Sequence, residues 1–402
     1  MMRYLYSFVI ALLLVVSCAA SAGDNTGASA DTKGISADTV KPLTVAAEDT
    51  ASYLHILRGN KVALVANPTS QAFGRHLLDV LLSADVHIDR VFAPEHGFRG
   101  SAEPGEKVNT EVDQKTGVRI ISLFGKNLKP SAGQMKGLDY VVYDIQDVGC
   151  RFFTYISTLH NVMEAAAENN VKVVVLDRPN PNNYVAGPIR EADCKSFVSM
   201  DPIPIVYGMT VGELANMINN EGWLKNGVKC QLTVIPVRNY KRDMRYELPV
   251  RPSPNLPDYL SVRMYPSLCL FEATNISVGR GSQRPFTAIG FPDEKYGNYV
   301  FTPEDIPGMQ TDPLHEGKKC YGVDFSDVDP DAQKFTLKYL MDMYRISGGT
   351  CITRTQWLSL LYGNKTLPKM LADGASEEEI IKSWEPGLQA FKDKRRLYLI
   401  YD

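Results

Sequence analysis

The segment Phe92-Ala93-Pro94-Glu95-His96-Gly97-Phe98-Arg99-Gly100 sets a carboxyl group, an imidazole and a guanidinium side by side, directly after an apolar run. A protonated Glu95 can hand a proton to a leaving oxygen, and an ionised one can activate water. Cleavage of a glycosidic bond needs both jobs, and so calls for a second carboxylate. His96 suits a hydrogen-bond partner. Arg99 can grip a carboxylate with two parallel N–H donors. From residue type alone, Glu95 could also be a loop-fixing carboxylate and Arg99 half of a structural ion pair.

Two further acids stand in Asp144-Ile145-Gln146-Asp147-Val148-Gly149-Cys150-Arg151. Either could be the second carboxylate or could set the pKa of the first, while Asp147 equally suits capping the next turn. Arg151 and Tyr155 are expected to line the pocket. The rigid loop Asp177-Arg178-Pro179-Asn180-Pro181-Asn182 offers Asp177 and Asn180 to sugar hydroxyls or an acetamido group, or serves only as a turn. Glu272 follows the apolar run Leu268–Phe271 and is the candidate acid of the second half, with Asn275 and Arg280 as substrate contacts.

These segments need a scaffold that gathers them. Apolar runs at 61–67, 88–93, 117–123, 140–144, 171–176 and 232–236 read as strands, and 77–83, 157–168 and 210–219 as helices. Thr210 and Glu213 have capping-box spacing. The alternation predicts an α/β fold built of βαβ units with an open, mostly parallel sheet. Sites in such sheets lie beyond the carboxyl ends of the strands, where four polar segments fall: Asn67-Pro68-Thr69, 93–100, 144–151 and 177–181. Prolines 252, 254 and 257 interrupt the rhythm, so a domain boundary is expected near 251, with a second domain over 252–402. Helices are expected at 336–343 and 354–363, and a closing strand at 394–401.

Lys and Arg number 43 against 46 Asp and Glu, a formal net charge of −3. That balance does not support nucleic-acid binding through global charge. The local basic stretch 225–251 reads as a solvated face, or less readily as a face toward anionic peptidoglycan. No Gly-x-Gly-x-x-Gly follows the first strand, and no P-loop or Gly-x-Ser-x-Gly elbow is present. The histidines outside the Glu95 segment are scattered, so neither metal nor cofactor is expected.

The start of the chain points to an address. Arg3 precedes the apolar run Phe8–Val16, too short for a spanning helix, and Val15-Val16-Ser17-Cys18 resembles a bacterial lipobox. Residues 1–18 are therefore read as a lipoprotein signal peptide with Cys18 as the lipidation site, 19–45 as a flexible tether, and the protein as held at the periplasmic face of a membrane. A soluble periplasmic form, cut near Ala20 or Ala22, is the alternative. The other six cysteines are widely spaced; they could pair in an oxidising compartment or be buried small hydrophobes.

The segments VALVANPTS, VFAPEHGFRG, DYVVYDIQDVGCRFFTYISTL, VVVLDRPNP, IPIVYGMTVGELA, PSPNLP, YPSLCLFEATNISVGRG and RRLYLIY together resemble the exo-β-N-acetylmuramidase family, over about residues 60–401. The resemblance implies a two-domain glycoside hydrolase, with a Rossmann-like open, mostly parallel sheet in a catalytic domain over 46–251 and a smaller α/β C-terminal domain over 252–402 completing the cleft, that releases terminal MurNAc from the non-reducing ends of peptidoglycan fragments such as MurNAc-GlcNAc. It makes Glu95 the favoured catalytic residue. Asp144, Asp147, Arg151, Asp177, Asn180, Glu272, Asn275 and Arg280 become cleft candidates. Arg99, Arg151 or Arg280 would clamp the lactyl carboxylate. Two departures stand out. Tyr207 precedes Gly-Met-Thr where the family often has histidine, which bears on side-chain preference if that position touches substrate. Ser267 replaces a common glycine, which puts loop geometry in question. A non-catalytic muropeptide-binding lipoprotein and another glycan hydrolase are the alternatives.

Overall fold

The computed structural model describes residues 41–95, 97–99 and 111–402. Seven strands form the main sheet: β1 (Lys61–Ala66), β2 (His87–Ala93), β3 (Glu111–Val112), β4 (Arg119–Ser122), β5 (Tyr140–Asp144), β6 (Lys172–Leu176) and β7 (Leu232–Ile235). Their order is β7-β6-β5-β1-β2-β4-β3, and only β3 runs antiparallel to its neighbour. Alternate residues of the central strands enter two different cores. Val62, Leu64 and Ala66 pack with Val142, Val174 and Leu176 on one face; Ala63 and Val65 pack with Val141, Tyr143, Val173 and Val175 on the other. A parallel sheet covered on both faces requires such apolar runs.

Helix α1 (Leu77–Ser83) covers the first face. The second face takes α2 (Tyr155–Glu168) and α3 (Val211–Asn220), and Thr210 with Glu213 forms the expected capping box on α3. The chain order reverses around β1, which lies between β2 and β5. The crevice at its carboxyl end is the switch point where ligands sit in such sheets.

The smaller C-terminal domain contains α4 (Tyr259–Leu268), then an antiparallel sheet of β8 (Ala288–Phe291), β9 (Tyr299–Phe301) and β10 (Cys320–Asp324) in the order β8-β10-β9. Helices α5 (Lys338–Ile346), α6 (Thr355–Tyr362), α7 (Thr366–Ala372) and α8 (Glu377–Arg395) follow. One hydrophobic core runs from Val65 of β1 through α2 and α4 to Phe391 of α8.

Two local expectations are corrected. Residues 394–401 are not a strand: 394–395 end α8, and Leu397, whose alternation suggested a strand, is 78% exposed. Side chains secure the tail instead, with Glu213 accepting from the Ile400 N–H at 2.8 Å and Tyr401 donating to Asp177 at 2.6 Å. Ser267 sits inside α4 rather than in a loop, and its Oγ accepts from the Thr336 N–H at 3.0 Å. The basic stretch is a largely solvated face, as expected: Lys225, Lys229, Lys241 and Arg251 are exposed, and Arg238 pairs with Asp49, Arg242 with Glu213 and Arg245 with Asp331, each at 2.6 Å. Cys150, Cys194, Cys230, Cys269, Cys320 and Cys351 are buried free thiols. No helix among the described residues is long and apolar enough to cross a membrane. Residues 1–18 with Cys18, and the tether as far as residue 40, lie outside the described residues.

Candidate active site

Glu95 follows the carboxyl end of β2 by two residues. Thr154, the residue before α2, leaves its helix end uncapped and instead donates to Glu95 Oε2 at 3.0 Å. Phe153 and Tyr155 pack edge-to-face at 4.7 Å, Phe153 meets Tyr265 of α4 at 5.7 Å, and Tyr265 meets Phe286 at 5.0 Å. Arg280 lies over the Phe286 ring at 4.9 Å and pairs with Glu272 at 2.6 Å. An aromatic ladder thus runs from the sheet edge to the acid of the C-terminal domain. It walls a cavity of about 330 Å³ that Glu95, Thr154, Tyr155, Trp357, Glu272 and Arg280 also line. The indole Nε1 of Trp357 is buried without a hydrogen-bond partner among the described residues.

A second cavity of about 530 Å³ shares Glu272 and Arg280 with the first and extends past Asn275, Gln310 and Leu314. Arg280 also donates to Gln310 Oε1 at 3.3 Å. Burial pulls the Arg280 guanidinium down, and the Glu272 carboxylate outweighs this, leaving it above its usual range. Glu95, Tyr155, Glu272, Asn275 and Arg280 are therefore brought to one connected space.

The other candidates are not. Asp144 is fully buried and held by both Nε and Nη2 of Arg178, at 2.6 and 2.8 Å. Its carboxyl group is committed to the sheet edge and is not available as the second carboxylate. Asp147 accepts from the Tyr207 hydroxyl and, at 2.6 Å, from the Gly149 N–H. Burial pushes its carboxyl up to about 6 against the pull of both donors. Tyr207 is buried in that bond and lines neither cavity.

Arg151 is completely buried and meets four carbonyls, of Pro188, Ile203, Leu361 and Tyr362, so it ties α6 to the sheet domain rather than clamping a ligand. Burial pulls it down to about 9. Asp177 accepts from Thr210, Tyr401 and the Gly212 N–H, with burial pushing it up to about 6. Asn180 donates to the Met209 carbonyl, and Gly149 (φ +75°) packs so close that a Cβ there would fall 2.1 Å from Asn180 Oδ1. Arg99 is held in two parallel bonds by Asp113, both 2.8 Å, and reaches Asp79 at 3.3 Å. His96 lies outside the described residues.

Of the aromatic wall, residue types pointed only to Tyr155, which lines the cavity as expected. The wall's signal was present in Phe152-Phe153-Thr154-Tyr155, where bulky rings follow a strand end in place of a polar loop. Tyr265, Phe286 and Trp357 carried no local signal, because distant packing brings them in.

A family model described as exo-beta-N-acetylmuramidase NamZ, N-terminal, matches residues 62–260, and its C-terminal counterpart matches 263–401. The chain belongs to the NamZ family. A NamZ from Bacillus subtilis strain 168, a peptidoglycan beta-N-acetylmuramidase, is 37% identical over the full length of both chains. Two crystal structures of DUF1343 family proteins from Bacteroides fragilis are also similar, each covering 90% of this chain and 99% of its own. One is 42% identical with a TM-score of 0.83, the other 28% identical with 0.78. Glu95 falls in the N-terminal NamZ match and Glu272 with Arg280 in the C-terminal one, so both parts of the NamZ unit build the cavity.

Proposed function

We propose that the chain is an exo-acting β-N-acetylmuramidase that releases terminal MurNAc from the non-reducing ends of peptidoglycan fragments such as MurNAc-GlcNAc. The observation that carries this reading is that Glu95 and Glu272 line one aromatic-walled cavity in a chain of this family. Glycoside hydrolysis runs on two carboxyl groups flanking the scissile bond. Glu95 protonates the bridging oxygen as the bond from C1 breaks, and the leaving sugar departs with that proton. The C1 centre, oxocarbenium-like, finally takes the hydroxyl of a water whose other proton returns to a carboxylate. Glu272 is the second carboxyl group. Aromatic faces suit the apolar faces of a pyranose, and Arg280 is the one of the three proposed clamps that lines the cavity, so it holds the lactyl carboxylate that distinguishes MurNAc from GlcNAc.

In the same reading Cys18 carries the lipid, the part after residue 251 closes the cleft, and the tether to the periplasmic face of a membrane ends before Thr44 rather than at 45, because Thr44 exchanges backbone hydrogen bonds with Arg238 at 3.0 and 2.9 Å. The run Phe8–Val16 followed by Ser17-Cys18 supports the anchor. Loss of membrane association in a Cys18→Ser chain checks it.

The deciding experiment incubates protein lacking residues 1–18 with MurNAc-GlcNAc and with a chromogenic MurNAc glycoside, beside Glu95→Gln. MurNAc release by the wild type and near-loss in the folded variant is expected. Equal rates would remove Glu95 from the chemistry, and no release from either substrate would turn the reading toward a muropeptide-binding protein.

A further inference from the structure

The two cavities that share Glu272 and Arg280 differ in their rims. Among the described residues, none that lines the cavity of Glu95 is exposed. The neighbouring cavity is lined at its edge by exposed Leu314, Thr353 and Arg354. An enzyme that takes sugars from a chain end must seat the terminal residue at the blind end and let the rest of the chain leave by the open one. The neighbouring cavity also holds an orphan. Asn275 is fixed through its backbone, its N–H donating to the Cys351 carbonyl at 2.9 Å and its own carbonyl meeting His315 Nε2 at 2.6 Å. Its side-chain Oδ1 is buried and has no partner among the described residues. A buried amide oxygen left unpaired is costly, and an incoming N–H or O–H removes that cost. Beside it, Phe271 and the 47% exposed Leu314 supply apolar surface.

We propose that this outer cavity is the subsite for the leaving-group sugar, an N-acetylhexosamine, with Asn275 accepting a hydrogen bond from its acetamido N–H or a hydroxyl and Leu314 covering an apolar face. The proposal rests on the muramidase reading for the direction of the chain. It assigns the inner cavity to the terminal sugar and the outer one to the rest.

Steady-state kinetics on MurNAc-GlcNAc and on an aryl β-MurNAc glycoside test it, because an aryl aglycone offers Asn275 no donor. For Asn275→Ala the ratio of kcat/KM on the disaccharide to kcat/KM on the aryl glycoside should fall about tenfold, the effect of one hydrogen bond. Leu314→Ala, at an exposed rim position, should lower the same ratio several-fold. Ratios left at the wild-type value in both variants would overturn the proposal. Methyl β-GlcNAc binding, followed by saturation-transfer NMR, gives a readout apart from catalysis: wild-type binding that weakens in Asn275→Ala supports the subsite, and binding that ignores the substitution sinks it. Failure to release MurNAc at all would count against the hydrolase reading, while the NMR result would still judge the subsite.

Discussion

The hydroxyl of Thr154 donates to Glu95 Oε2 across the crevice between β2 and α2, and in doing so forgoes capping its own helix. A threonine before a helix normally spends its side chain on the helix amides, at a gain of about 1 kcal/mol. Here that stabilisation is forgone and the bond orients one oxygen of the acid.

Thr154→Val should therefore lower kcat about tenfold, corresponding to about 1.4 kcal/mol at the transition state. Thr154→Ser, which keeps the donor, should restore most of it. Equal losses in both variants, with unchanged melting temperature, would show that the hydroxyl does not position Glu95.

Arg280 reads the substrate's carboxylate in the proposed mechanism. Arg280→Lys keeps the charge but loses the planar fork. It should raise KM for MurNAc-GlcNAc at least several-fold, while Arg280→Gln should raise it further and reduce discrimination against a GlcNAc-GlcNAc disaccharide. Unchanged discrimination in Arg280→Gln would remove the residue from recognition.

Asp144 and Arg178 form a buried pair at the carboxyl end of the sheet, where Arg178 also donates to the Gln71 carbonyl at 2.9 Å. Arg178→Met leaves the Asp144 charge without its partner and should destabilise by about 3–5 kcal/mol. Replacing both with apolar residues should recover most of that loss. Urea unfolding of the single and double variants checks it, and a double variant as unstable as the single would show that the pair adds more than mutual neutralisation.

Asp147 gives a pH signature. Its folded pKa of about 6 lies above the ordinary 3.8, so the folded state binds the proton more tightly than the unfolded state. Between about pH 4 and 6 this group makes stability fall as pH rises. Asp147→Asn removes that contribution and should gain on the wild type by about 3 kcal/mol across the window, at 1.36 kcal/mol per unit. His76 acts in the opposite sense: burial, then Arg99, lowers it to about 4, so its stabilising contribution grows as pH rises from about 4 toward 6.5. The difference between wild type and variant isolates Asp147 from that background. A pH-independent difference would contradict the shift.

Much of the scaffold was legible because it is encoded locally. The apolar runs of β1, β5 and β6 send alternate residues to two cores, and such runs announce buried parallel strands whatever surrounds them. The carboxyl ends of those strands are equally local, which is why Glu95 could be placed at a site edge from its own segment. Helix α8 escaped notice although Ser376 and Glu379 form a capping box, since its interior Pro386 and mostly polar surface mask the period.

What only the tertiary structure decided is which polar residues remain available. Asp144 and Asp177 stand at strand ends as prominently as Glu95 does, and Arg151 lies in the segment that follows Asp144. They are consumed by Arg178, by Tyr401 and by the carbonyls of Leu361 and Tyr362. A buried charge or polar group must find partners, and those partners lie far along the chain, where no local spacing reveals them. The same long-range packing sets Tyr265, Phe286 and Trp357 around Glu95 and joins Glu272 to the same cavity, so the site is a property of two halves of the chain meeting and not of either motif alone.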